Sequence, residues 1–154
     1  METTTKIILL MAMYGLPLCL IIIYKIKNEL KLKPKMITEK EVSDILGEEL
    51  FEINYELEKI PNSNNIYNIM QCFADFTKKL IKKGDLNEVK HCFKLADKMM
   101  KNGNNTVKNA VENCYVFSIS TVIDIASPIN ERVKQLLRHS LRKEYNRQVL
   151  SSGI

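Results

Sequence analysis

A chain of 154 residues with net charge +5, five glycines, four prolines and four cysteines has room for one domain and an appendage. This composition excludes a disordered low-complexity chain and a disulfide-dense secreted scaffold. It does not point to nucleic acid either, because the basicity is local: residues 1–35 hold six lysines against Glu2 and Glu29, a balance of +4, while residues 36–154 carry only +1.

From Ile7 to Tyr24 there are 18 residues without a charge. A helix of that length reaches roughly 27 Å, close to the ~30 Å hydrocarbon core, so the segment is expected to span a bilayer once. Lys6 alone precedes it, whereas Lys25, Lys27, Lys31, Lys33 and Lys35 follow. Positive flanks stay inside, which makes the C-terminal part cytoplasmic. Those lysines also suit anionic headgroups at about 1 kcal/mol each, and Tyr24 suits the headgroup boundary. Gly15 and Pro17 fit an ordinary bent anchor. A cleaved secretory leader fits poorly, since Leu18 stands before Cys19 where a small residue is wanted. Pro34 stops the helix. The expected organisation is an anchor with a basic flank over 1–35 and a cytoplasmic α-helical domain over 36–154.

Thr38 with Glu41 forms a capping box for a first helix carrying Val42, Ile45 and Leu46. A second helix is expected after Gly47, with Leu50, Ile53 and Leu57 on one face and Glu48, Glu52 and Glu56 at four-residue spacing on another. Pro61 to Asn65 reads as a loop. The next helix has the cleanest amphipathic pattern, burying Ile66, Ile69, Met70, Phe73, Phe76, Thr77, Leu80 and Ile81, and Gly84 closes it with a left-handed cap. Asp85 and Glu88 open another, which buries Leu86, Val89, Phe93, Ala96 and Met100 and stops at Gly103. Thr106 to Ile125 is apolar on more than one face, including Val111, Tyr115, Phe117, Ile119, Val122 and Ile123, and predicts the central helix. Ser127 as cap and Pro128 at the first position start a single last helix with the stripe Ile129, Val133, Leu136, Leu137, Leu141 and Tyr145. No period-two stretch supports a strand. The predicted fold class is all-α, a bundle of five to six helices preceded by one transmembrane helix.

Chemistry-bearing spacings are missing. His91 and His139 lie on different helices, outside any zinc-protease pattern, and read as surface residues. Cys72, Cys92 and Cys114 each fall near the apolar stripe of a successive helix. Packing as small hydrophobes is the favoured reading; convergence into a metal or redox sensor is the alternative. There is no phosphate loop, nucleophile elbow or carboxylate pair, so no enzyme, no cofactor and no bound metal are expected.

Charge is divided along the chain. Residues 36–60 carry eight acids against Lys40 and Lys59, and 78–108 carry nine lysines against Asp85, Glu88 and Asp97. Pairing within the bundle or plain solvation accounts for this, but a docking face is the functional counterpart. Glu48, Glu52 and Glu56 are the candidate partner-binding residues, suited to a basic cleft.

Residues 36–154 resemble a family of small helical bacterial domains of unknown function. The resemblance rests on Phe73-Ala-Asp-Phe-Thr-Lys-Lys-Leu-Ile81, Glu88-Val-Lys-His-Cys-Phe-Lys-Leu-Ala96, Val107-Lys-Asn-Ala-Val-Glu-Asn113 with Tyr115-Val-Phe-Ser118, and the tail Glu144-Tyr-Asn-Arg-Gln148 ending Ser152-Gly-Ile154. It covers nearly the whole soluble part; the span at Ile7–Tyr24 departs from the pattern, in which the domain starts near the position of Met36. The resemblance implies a non-enzymatic protein-binding domain, with neutralisation of a toxin by an immunity protein as its most concrete form. The same setting makes the membrane a bacterial inner membrane. Among the polar residues of those strings, Lys108, Asn109, Glu112 and Asn113 share a heavily apolar helix and need partners, and Glu144, Tyr145 and Arg147 are placed to dock the C-terminus.

Overall fold

The computed structural model describes residues 21–25, 35–61 and 65–151. The chain divides into two compact units, Met1–Lys35 and Met36–Ile154. In the first, residues 21–25 are helical, and the rest of the expected span Ile7–Tyr24 lies outside the described residues. Among the described residues, no helix is long and apolar enough to cross a membrane.

The second unit is all-helical among the described residues: α1 (Glu39–Glu49), α2 (Asn54–Leu57), α3 (Ile66–Lys83), α4 (Leu86–Asn102), α5 (Asn105–Ala110), α6 (Phe117–Ile123), α7 (Pro128–Leu136) and α8 (His139–Ser151). A 3-10 turn, Phe51–Ile53, precedes α2, and a π-helical segment, Val111–Val116, joins α5 to α6. Among the described residues the one extended pairing is an isolated parallel bridge between Ile37 and Gly103.

Local signals set most helix ends. The Thr38 N–H and hydroxyl both donate to the Glu41 carboxylate, at 3.0 and 2.9 Å. Asp85 accepts from the Glu88 N–H, and Ser127 from the Asn130 N–H. Gly84 closes α3 at φ 76°, a conformation that costs a residue with a Cβ about 1 kcal/mol or more. Each cap satisfies a helix-end group that has no partner within the helix.

The core is built on α3, whose nine buried residues include every one of the eight its periodicity predicts, with Ala74 added. Phe73 stacks on Tyr115 with ring centroids 4.6 Å apart. Beside them the Thr77 hydroxyl donates to the Phe73 carbonyl at 2.9 Å and accepts from the Tyr115 hydroxyl at 3.1 Å. Two fully buried hydroxyls are thereby satisfied without water.

Three expectations are corrected. Gly47 does not end the first helix; α1 continues to Glu49 and unwinds at Leu50 (φ −131°, ψ 79°). The glycine is there for close approach, since a Cβ would run into the Asn54 side chain, whose Nδ2 donates to the Gly47 carbonyl at 3.1 Å. Gly103 ends α4 as expected, in an extended conformation (φ −68°, ψ 154°) that lets Ile37 pair beside it. The Ile37 N–H donates to Asn102, and the Asn104 N–H donates to Ile37, clasping the start of the domain onto the α4–α5 junction.

Phe117, expected in the core, is 59 % exposed. The π segment inserts an extra residue into the turn ahead of it, which rotates the following side chains away from a 3.6-residue register. Finally, the single last helix is two. Leu137 adopts ψ 126° and breaks it. The new ends are capped from a distance: Asp97 of α4 accepts from the Ser140 N–H at 3.1 Å, and Arg142 donates to the Gln135 carbonyl at 2.9 Å.

Candidate functional site

The candidate site is the acidic edge formed by α1, the 3-10 turn and α2. Asp44 and Glu48 lie one turn apart on α1, where their side chains share a face. Because Asn54 is locked against Gly47, α2 folds back beside that face and brings Glu58 to it. Asp44, Glu48 and Glu58 line an open groove of about 610 Å³ whose other walls are Ser43, Gly47, Asn54, Leu57 and Ile60. No cation lines it, and none of the three acids takes part in an ion pair among the described residues.

The predicted trio Glu48, Glu52 and Glu56 is divided among three elements: Glu48 is on α1, Glu52 on the 3-10 turn and Glu56 on α2. The break at Leu50 destroys the four-residue spacing that would have aligned them. Glu48 and Glu52 remain exposed. Glu56 is committed elsewhere, 3.0 Å from Lys79 and 3.7 Å from Lys59. The hydrogen bond from Lys79 and the charge of Lys59 hold its carboxyl below the usual range.

Two aromatic residues complete the edge. Phe51 is 86 % exposed and Tyr55 67 % exposed, with the Lys59 ammonium 3.5 Å from the Tyr55 ring centroid. Neither ring lines the groove, and leaving a Phe in water forgoes roughly 2 kcal/mol of burial. The sequence held the signal: Phe51 and Tyr55 both fall off the Leu50, Ile53 and Leu57 register.

A second open groove of about 840 Å³ lies on the far side of Ile60 and carries Lys59, Lys78, Lys79 and Lys82. Its charge is largely internal, with Lys78 2.6 Å from Asp75 and Lys79 bound to Glu56. Cys72 sits half-buried in this wall, its thiol pushed up by burial and by Glu56 and Asp75. Cys92 is buried, and burial pushes its thiol up to about 12. Cys114 is half-buried and also shifted upward by burial. Thiols held protonated are poor nucleophiles and poor metal ligands. Among the described residues no group of three His, Cys, Asp or Glu is arranged to hold a metal ion. His91 lies 3.4 Å from Glu49, and His139 is exposed at the start of α8.

The tail docks on the bundle. Glu144 is buried and takes Arg147 and Gln148 on its carboxylate, while Gln148 also donates to the Glu112 carbonyl at 2.9 Å. Burial raises the Glu144 carboxyl, but the Arg147 and Gln148 hydrogen bonds outweigh it and the net shift is downward. Tyr145 donates to Asp124, and burial, together with that contact, raises its phenol. Asn109 and Asn113 are exposed, and the Asn113 amide donates to the Asn109 carbonyl.

Residues 41–151 match the family model described as a domain of unknown function, DUF7674. The chain belongs to that family. No curated protein and no solved structure matches it. The DUF7674 match runs from within α1 to the end of α8 and so takes in the acidic edge, the Thr77–Tyr115 core and the docked tail.

Proposed function

We propose that this protein is a membrane-tethered, non-enzymatic binding domain whose acidic edge receives a basic protein partner, with neutralisation of a toxin as its most concrete form. The observation that carries the proposal is the conjunction of an unpaired acidic groove, Asp44, Glu48 and Glu58, with the exposed rings of Phe51 and Tyr55. Aromatic anchors supply binding energy, and a negative groove speeds encounter with a basic partner and rejects wrong ones. The tether is supplied by Ile7–Tyr24 as its length and charge-free run suggest. The metal or redox sensor based on Cys72, Cys92 and Cys114 gains no support from thiols that burial holds protonated.

Co-expression with the product of the adjacent gene in the native host tests the proposal. A toxic product relieved by the wild-type chain and not by Glu48→Lys with Glu58→Lys is the expected outcome. Equal protection by the charge-reversed chain would remove the acidic edge from the account, and a neighbour without toxicity would remove the immunity role.

A further inference from the structure

The acids of α1 have a counterpart on α4. The two helices are linked at both ends, by Asn104, just past α4, to Glu39 at 3.0 Å and by His91 to Glu49 at 3.4 Å. Residues of α4 that pack inward are Val89, Cys92, Phe93, Leu95, Ala96 and Met99. At 3.6 residues per turn, the remaining solvent arc is about 100° wide. It holds Lys90, Lys94, Lys98 and Lys101 with Asn87 and His91, and no carboxylate. Asp97 is buried at one margin, where Lys101 meets it at 2.7 Å. Glu88 falls outside the other margin, 3.9 Å from His91. Lys90, Lys94 and Lys98 are exposed and belong to no ion pair among the described residues.

We propose that this lysine face of α4 lies on the anionic headgroups of the bilayer, which sets the domain's orientation and turns part of its surface toward free solution. Two features select a lipid surface over a protein. The face has no aromatic or aliphatic side chain to serve as an anchor in a protein pocket, whereas a charged bilayer needs none. The proposal rests on the tether reading above, under which ten residues separate Lys25 from Met36. That many residues reach at most about 36 Å, so the nearest extended polyanion is the membrane itself. Each lysine near an anionic surface strengthens adsorption about fivefold, and three unpaired ones act together.

The full chain is reconstituted in nanodiscs of phosphatidylcholine alone or with about 30 % phosphatidylglycerol, and lysine acetylation by a water-soluble reagent is followed residue by residue. On the anionic discs Lys90, Lys94 and Lys98 should label at least about threefold more slowly, with Lys79 and Lys134 unchanged, and ~0.5 M salt should restore the rate by screening. Lys94→Glu with Lys98→Glu, both on the surface, should abolish protection of Lys90. Equal labelling on the two disc types, or a uniform slowing of all lysines, overturns the proposal. So does stronger protection by duplex DNA than by anionic discs. Co-flotation with neutral vesicles reports the tether separately, so loss of the tether and loss of the lysine face give different results.

Discussion

Asp97→Ala is the substitution whose effect follows most directly from the structure. The carboxylate is only 5 % exposed, yet it accepts from the Ser140 N–H at 3.1 Å and from Lys101 at 2.7 Å. Removing it leaves the first turn of α8 without its acceptor and loosens the α7–α8 corner. A lost cap costs about 1–2 kcal/mol, and a hydrogen bond to a charged group about 1.5–3. These describe one bond, so they overlap, and Lys101 is half exposed and adds less than about 1. The expected loss is about 2–3 kcal/mol out of the roughly 5–15 typical of a domain. Asp97→Asn, which keeps an acceptor, should lose about half as much. Burial raises the Asp97 carboxyl, but the hydrogen bonds from Lys101 and Ser140 win and the net shift is downward. A depressed carboxyl stabilises the fold above its unfolded pKa of about 3.9 and loses that contribution as pH falls through the folded value. The gap between wild type and Asp97→Asn should therefore be full at neutral pH and narrow in acid. Urea unfolding of the full chain in mild detergent, followed by far-UV circular dichroism because the chain has no tryptophan, measures both. An Asp97→Ala loss below about 0.5 kcal/mol, or a gap to Asp97→Asn that ignores pH, would refute the capping role.

Thr77→Val should cost about 1–3 kcal/mol in the same assay, because it leaves the buried Tyr115 hydroxyl without a partner while conserving volume. Gly103→Ala should cost about 1–3 kcal/mol, since its Cβ would press on the Met99 carbonyl and the Val107 side chain, and a loss below about 0.5 kcal/mol would contradict that close approach. Alkylation of the native chain near pH 8 should spare Cys92, buried and shifted to about 12, and reach Cys72 sooner. Equal rates at Cys72 and Cys92 would contradict the packing of α4.

Much of the fold was legible because its signals are local. Thr38 with Glu41, Asp85, Gly84, and Ser127 with Pro128 act within one turn of their own positions, and the α3 stripe needs only periodicity. What was not legible depends on contacts across the chain. Gly47 looks like a helix stop, yet it makes room for the Asn54 side chain that folds back on it. The α7–α8 break at Leu137 is held by Asp97 and Arg142, neither of which marks it in sequence. The π segment shifts the register that had placed Phe117 inside.

The candidate site followed the same division. Sequence spacing found the acidic segment, but the unwinding at Leu50 removed Glu56 to the lysine side and substituted Asp44 and Glu58 as companions of Glu48. Phe51 and Tyr55 gained meaning only once the 3-10 turn had placed them in solvent.

The most direct test of partner docking through this edge is site-specific photo-crosslinking in the native host, with a benzophenone side chain at Phe51 and, as control, at Leu150 on the exposed end of α8. The account predicts a discrete adduct with a basic protein from Phe51 alone, lost when Glu48→Lys and Glu58→Lys are introduced. No adduct from Phe51, or one that appears equally from Leu150 and survives the charge reversal, would contradict it.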